Sequence, residues 1–259
     1  RLELGRYDAL ITWSQQHAAH LAGCRLRPFM TNARWLARLG DPWSGNPFAL
    51  RVPWGDAVDR LFEGRVFAMA DRIVFPSEEM RAYAVSAQPE AIAEKSAVLS
   101  HAYDESLYPP DSGSESRGGV YCVRCMGKHY GPRSPEPVFR AVDRLCRRDD
   151  SYAGRLRIEF YGAMGGYART LGQYPAAAEC IHIHPAVPYR ESLRLMRGAD
   201  CLLTVDAPSE QSLFFPSKLV DYIGADRFLS AITPTGPTAR IVAASGGWSA
   251  DPADAAGCE

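Results

Sequence analysis

The sequence predicts an α/β protein of two units, each organised around a parallel sheet. Three observations carry that expectation. Apolar, strand-like runs alternate with helical patterns along the chain; a proline-rich stretch interrupts the alternation near residue 110; and the alternation restarts behind it. Strands separated by helices favour parallel pairing, because the helix returns the chain to the edge where the next strand must start, and such sheets are covered on both faces.

The elements follow in order. Residues 7–13 (YDALITW) read as a strand and 17–26 as a helix. Residues 34–39 (RWLARL) are a strand running into the loop GDPWSGNP. Residues 56–70 carry one apolar stripe formed by Val58, Leu61, Phe62, Val66 and Phe67, which is helical spacing. RIVFPS is a strand, and Ser77 followed by Glu78 and Glu79 is a helix start, with a capping hydroxyl and then acids near the positive end of the dipole. Residues 97–101 form a short strand. The stretch YDESLYPPDSGSESRGG breaks the pattern, and its prolines, serines and glycines mark a linker at 109–119. The first domain is therefore 1–108 and the second 120–259. In the second, GVYCVRCM, LRIEFYG, CIHIHPAV, DCLLTVD and the apolar run before TPTG are strands. SPEPVFRAVDRLCRR, YRESLRLMRGA, the segment from Pro216-Ser217 to a glycine, and TARIVAASGG are helices. The whole reads as two Rossmann-like domains with parallel sheets facing a cleft.

The 259 residues suffice for two domains of ordinary size, and 46% hydrophobic with 23% charged residues is ordinary for a globular chain. A formal net charge of −1 gives no global field toward nucleic acid or an anionic membrane. No apolar run approaches the roughly 18 residues of a spanning helix. The opening RLELGRYDAL is neither a signal peptide nor an initiating methionine, and DPADAAGCE stops without a clean element, so the chain reads as an internal piece of a longer protein. Seven cysteines, an odd number set mostly in apolar segments, favour reduced thiols and a cytosolic setting.

One stretch carries chemistry: SLFFPSKLVDYIGADRFLSAITPTG, residues 212–236. Ligands of a doubly wound sheet bind beyond the carboxyl ends of its strands, and DCLLTVD ends at Asp206 immediately before it. A helix opening at Pro216-Ser217 presents unpaired N–H groups and partial positive charge. Lys218 adds a full charge. Asp221 follows Ser217 by four residues and Lys218 by three, so the three share a face. A carboxylate one turn behind an anion site suits a sugar diol, the pairing that a nucleoside diphosphate offers. An ordinary Lys218–Asp221 surface pair is the competing reading. In the first domain, Asp41, Trp43 and Asn46 lie beyond a strand end and offer a carboxylate, a stacking surface and an amide to a sugar hydroxyl or an acceptor; a turn closed by an aromatic plug is the alternative. Thr235, Gly236 and Thr238 form a further rim loop, with helix capping expected of Thr238. Metal-ligand patterns are incomplete: Cys122 and Cys125 are one pair where a zinc ribbon needs two, and Cys180, His182 and His184 alternate along a strand expected to be internal.

The residues VPYRESLRLMRGADCLLTVDAPSEQSLFFPSKLVDYIGADRFLSAITPTGPTARIV resemble the carboxyl-terminal domain of GT-B glycosyltransferases of the retaining, family-4-like group. GKHYGPRSPEPVFRAVDRL is similar to the segment opening the donor domain, and ARWLARLGDPWSGNPF, ADRIVFPSEEMRAYAV and SHAYDESLYPP resemble the later half of the acceptor domain and the linker. The resemblance implies transfer of a hexosyl group from a nucleotide-diphosphate sugar, with UDP or GDP as the nucleotide, to a carbohydrate, lipid-linked or small-molecule hydroxyl, with retention and without metal or other cofactor. It also implies a cytoplasmic or membrane-peripheral protein. Arg133 and Lys128 would meet the diphosphate, with Gly127 and Gly131 bending the backbone close; Val187, before Pro188, would pack the base; and His17 would lie over the donor sugar. The family's acid, seven residues, acid pattern keeps only its second member, Asp221. Leu213 stands at the first, so that acid's sugar contact is either missing or comes from a neighbour such as Glu210. The first strands of the acceptor domain and the last crossing helix are missing from the pattern. A nucleotide-sugar epimerase, a periplasmic-type sugar-binding protein and a degenerate partner subunit are the alternatives.

Overall fold

The computed structural model describes residues 4–14, 16–46, 48, 52–111, 113 and 119–254. The chain divides into two compact units, residues 1–101 with 213–215, and 102–212 with 216–259. Most of the expected linker, residues 112 and 114–118, lies outside the described residues.

The first unit runs β1 (Ala9–Ser14), α1 (Ala18–Leu26), β2 (Arg34–Leu39), α2 (Gly55–Met69), β3 (Arg72–Phe75), α3 (Glu78–Val85), α4 (Glu90–Glu94) and β4 (Ser96–Val98). Its parallel sheet has the order β1-β2-β3-β4. Each strand joins the one just made, and right-handed crossovers of one direction put every connecting helix on one face. Trp35, Ala37, Leu39, Ile73 and Phe75 point to that face and pack with Cys24, Val66 and Phe67. The opposite face is open at β1, where Ile11 is 66% and Trp13 60% exposed. Ser77 caps α3 as expected, its hydroxyl accepting from Met80 N–H at 3.2 Å.

The second unit runs β5 (Tyr121–Met126), α5 (Glu136–Arg148), β6 (Leu156–Tyr161), α6 (Tyr167–Thr170), β7 (Ile181–His184), α7 (Tyr189–Arg197), β8 (Cys201–Val205), α8 (Lys218–Ala225), β9 (Phe228–Ile232), α9 (Pro237–Ala244) and β10 (Trp248–Ala250). The parallel sheet has the order β10-β9-β8-β5-β6-β7. One face packs Cys125, Ile158, Phe160, Ile181 and Val205 against Val138, Phe139 and Val142 of α5. The other carries a polar interior: Arg124, 2% exposed, donates to Glu159 at 2.7 Å and to the Leu195 carbonyl of α7 at 2.6 Å.

Several local readings change. Strand β7, which carries His182 and His184 and was expected to be internal, lies at the edge of its sheet. Helix α8 does not stop on a glycine; it ends at Asp226 in the left-handed conformation, φ +55°, which a short polar side chain tolerates. Thr238 does not cap α9: Pro237 opens that helix, and the Thr238 hydroxyl is buried in its first turn without a hydrogen-bond partner. The turn α4 and the edge strand β10 are additions that the sequence pattern did not mark.

Candidate functional site

In the second unit the chain steps outward from β5 to β6 and β7, then returns past β5 to β8 and continues the other way. The order reverses between β5 and β8. At such a point the loops leaving the two strands part and open a crevice beyond their carboxyl ends. Here those loops are residues 127–134 and 206–217.

The first loop is pinned by close backbone approach. Gly162 has φ +137°, and a β-carbon there would run into the Gly127 carbonyl oxygen, so only glycine fits. Gly127 N–H donates to the Tyr161 carbonyl at 2.8 Å and His129 N–H to that of Ala163 at 2.9 Å. Arg133 stands at the end of this loop over the Tyr130 ring, 5.7 Å from its centroid, with Nη2 3.8 Å from Asp206 Oδ1. Lys128 and Gly131 are exposed on the same loop, and Gly131 accepts a hydrogen bond from the Tyr167 hydroxyl at 2.5 Å.

The second loop begins at Asp206, 4% exposed. Its Oδ2 accepts from the Thr233 hydroxyl at 2.9 Å, while Oδ1 has no hydrogen-bond donor and faces Arg133. Lys218 reaches back to donate from Nζ to the Met126 carbonyl at 3.2 Å. Arg133 and Lys218 therefore stand at the carboxyl ends of two neighbouring strands, Arg133 beside Asp206 just after β8 and Lys218 on Met126 at the end of β5. Both act on buried His129, whose imidazole is held down to about 4 by burial first and by the two cations second. Burial pushes the Cys125 thiol up against their opposing pull, and its sulfur lies 3.6 Å from His129 Nε2.

Ser217 occupies the cap position of α8 in helical conformation, with no side-chain cap bond. The first turn tightens instead: Leu219 N–H returns to the Pro216 carbonyl at 3.0 Å and Val220 N–H to that of Ser217 at 3.2 Å. Lys218 and Asp221 turn to different partners. Half-buried Asp221 accepts from the Tyr189 hydroxyl at 2.8 Å, and its backbone carbonyl accepts from Tyr108 at 2.9 Å. Burial raises the Asp221 carboxyl, and the Tyr189 hydrogen bond opposes that rise. Val187 is half-buried between β7 and α7, and Glu210 is exposed in the loop after β8.

The remaining candidates belong to the first unit. His17 lies flat on Trp43, centroids 4.6 Å apart and planes 7° apart. Trp43 is 5% exposed and donates from Nε1 to Asp59 at 3.1 Å. Its stacking face is filled by His17, so it forms the aromatic plug of this turn. Asn46 closes the same turn, donating to the Pro42 carbonyl at 3.1 Å and accepting from Phe48 N–H at 2.9 Å. Asp41 is half-buried in the loop after β2. Burial lowers His17, with Asp59 opposing. Behind it, fully buried His20 is lowered to about 4 by burial and by His17.

Sequence reasoning missed Asp206, His129 and Tyr189. Asp206 could have been found by the carboxyl-end rule, since it is the residue directly after β8. Tyr189, opening α7 thirty-two positions before Asp221, carries no local signal. The six described cysteines are free and buried. No group of three or more His, Cys, Asp or Glu suited to a metal ion occurs among the described residues, nor does any helix there long and apolar enough to cross a membrane.

Two α/β units with parallel sheets, the second in the doubly wound strand order, fit the GT-B class of fold, and the comparison with solved structures bears that class out. Solved structures of that class match nearly the whole chain: a UDP-forming α,α-trehalose-phosphate synthase from Burkholderia xenovorans in complex with glucose-6-phosphate (TM-score 0.68, 12% identity, 97% of this chain and 64% of that one) and a glycosyltransferase from Rickettsia africae (0.66, 13%, 96% and 63%). TarM from S. aureus, as a mutant in complex with UDP, fondaparinux and α-GlcNAc-glycerol, is a third (0.62, 10%, 91% and 45%). The chain thus spans less than two thirds of the length of these neighbours. No family model and no curated relative matches it.

Proposed function

We propose that this chain belongs to a glycosyltransferase that moves a sugar from a nucleoside-diphosphate donor to an acceptor hydroxyl with retention. The observation that carries the reading is the position of Arg133 and Lys218 at the switch point between β5 and β8. Two cations there suit a diphosphate leaving group, and preorganised positive charge at a developing anion is a large catalytic contribution. Arg133 and Lys218 hold the diphosphate, Lys128, Gly131 and Ser217 lie along its path, Asp221 accepts from the ribose hydroxyls, and Val187 packs the base. Among the fold neighbours, one is bound with UDP-2-fluoro-glucose and another comes from work on glycosyl transfer with retention through bisubstrate glycomimetics of trehalose-6-phosphate synthase, which supports this donor class. In the first unit, taken by itself, His17 and Asp41 are the candidates for contact with an acceptor.

Calorimetric titration with UDP and GDP tests the reading. The chain should bind one of them, and Arg133→Ala and Lys218→Ala should each weaken it about ten-fold or more, the scale of losing a charge-assisted hydrogen bond. Unchanged affinity in both variants removes the diphosphate assignment.

A further inference from the structure

Asp221 is the one candidate donor contact whose side chain is already engaged by a protein donor. The Tyr189 hydroxyl, at the first position of α7, meets its Oδ1 at 2.8 Å. The engagement has a direction. A phenol beside a carboxylate keeps its proton and donates it, and burial with Asp221 pushes Tyr189 up to about 12. A donor fixed on Oδ1 selects one rotation of the carboxylate and leaves Oδ2 as the oxygen with its full accepting capacity. The backbone beneath is fixed as well. Tyr108 donates to the Asp221 carbonyl at 2.9 Å, with Arg197 over its ring at 5.3 Å. Gly224 makes room for that ring, since a β-carbon there would fall 2.5 Å from the Tyr108 hydroxyl oxygen and 2.6 Å from Tyr103. Carbonyl and carboxylate of one residue are thus held from two elements, the segment before the linker and the start of α7.

From this geometry we infer that Tyr189 is the positioning residue that orients Asp221 for the ribose hydroxyls, so that the Tyr189–Asp221 pair sets selectivity for ribonucleotide over deoxyribonucleotide. The inference rests on the proposed donor reading. Tyr189 itself is not assigned to touch the nucleotide. It acts by removing the rotational freedom of a carboxylate that otherwise has to be ordered when the diol arrives, a cost that preorganisation avoids. It also supplies the hydrogen bond that helps keep a half-buried carboxyl ionised, the form that accepts from two hydroxyls.

The test compares binding of the preferred nucleoside diphosphate with that of its 2′,3′-dideoxy analogue by calorimetry, in the wild-type chain and in Tyr189→Phe, Asp221→Asn and the double variant. The wild-type chain should prefer the ribonucleotide. Tyr189→Phe should weaken the ribonucleotide about five-fold, leave the dideoxy analogue within two-fold, and have no further effect once Asp221 is Asn. Equal weakening of both nucleotides in Tyr189→Phe, or an unchanged ratio, overturns the inference while leaving the donor reading intact. Failure of the wild-type chain to bind any nucleoside diphosphate removes the donor reading and this inference with it. A lower melting temperature in Tyr189→Phe with an unchanged ratio counts as a structural role only, and also overturns it.

Discussion

Arg133 Nη2 stands 3.8 Å from Asp206 Oδ1, a carboxylate oxygen that is buried and has no hydrogen-bond donor. A cation expected to meet phosphate is thus kept beside an acid that an incoming phosphate would have to share it with. The two charges lie at the switch point of the sheet, one on each of the loops that part there.

This pairing has a measurable sign. Replacing Asp206 by Asn removes a like charge from the neighbourhood of a bound diphosphate while keeping the shape and an acceptor for Thr233. Affinity for the nucleoside diphosphate should rise about three-fold, in line with one partly screened charge at close range, whereas Arg133→Ala should lower it. Calorimetry reads both. A large loss in Asp206→Asn would mean that the carboxylate is needed to aim the guanidinium.

Gly162 offers a prediction on stability. Its φ of +137° and the Gly127 carbonyl at the place of a β-carbon leave no room for a methyl group. Gly162→Ala should destabilise the second unit by about 2–3 kcal/mol through backbone strain and steric displacement. The loss should appear in denaturant unfolding, together with weakened nucleotide binding, because the displaced backbone is that of the loop leading to Arg133.

Two buried histidines, one in each unit, give a pH dependence. His20 and His129 are both lowered to about 4, against an ordinary value near 6.5. Between those values the unfolded chain takes up protons that the folded chain refuses, so stability falls as pH drops from about 6.5 toward 4 and is fully present above that window. At pH 5 the loss should be about 1–2 kcal/mol per histidine relative to pH 7.5. Urea unfolding at the two pH values checks it, and His20→Gln should flatten the dependence of the first unit alone.

The Arg124–Glu159 pair predicts non-additivity. Both side chains are buried and meet at 2.7 Å. Arg124→Met leaves Glu159 without its closest cation, although Arg157 Nε remains 3.4 Å away, and should cost about 3–5 kcal/mol. Adding Glu159→Leu should recover a large part of that loss, because the pair repays little beyond its own desolvation. A double-mutant cycle on unfolding free energy measures the coupling.

Most of the fold was legible in the residues because two signals agreed along the chain. Apolar runs of four to six residues were bounded by breakers, and amphipathic helices followed them, as in α5, where Val138, Phe139, Val142 and Cys146 fall on one buried face. What stayed hidden depended on tertiary partners. Trp43 could have been a platform or a plug until His17 was seen lying on it. For Lys218 and Asp221, three residues apart on a short helix, a mutual surface pair was the competing reading; Lys218 instead reaches Met126, ninety-two positions away, and Asp221 reaches Tyr189. Ser217 has the residue type of a cap without the conformation, since its backbone is already helical and its hydroxyl cannot reach the N–H groups that Pro216 and Ser217 carbonyls have taken. The carboxyl-end rule pointed to the candidate site but not to the buried acid within it, because Asp206 was read as the last letter of a strand.

The strand orders also bear on how the chain acquires this structure. The four strands of the first sheet are added in succession, each beside its predecessor, so every pairing closes a short stretch of chain. In the second sheet β8 must find β5 after two other strands have been laid down, and the Cys122–Asp200 contact that fixes this pairing spans 78 positions. Contacts of long sequence separation form late because the chain must lose more freedom before they repay it. The amides of β8 should therefore gain protection from hydrogen exchange after those of β1 to β4 during refolding, and the two cations at the switch point should be brought together in the closing steps.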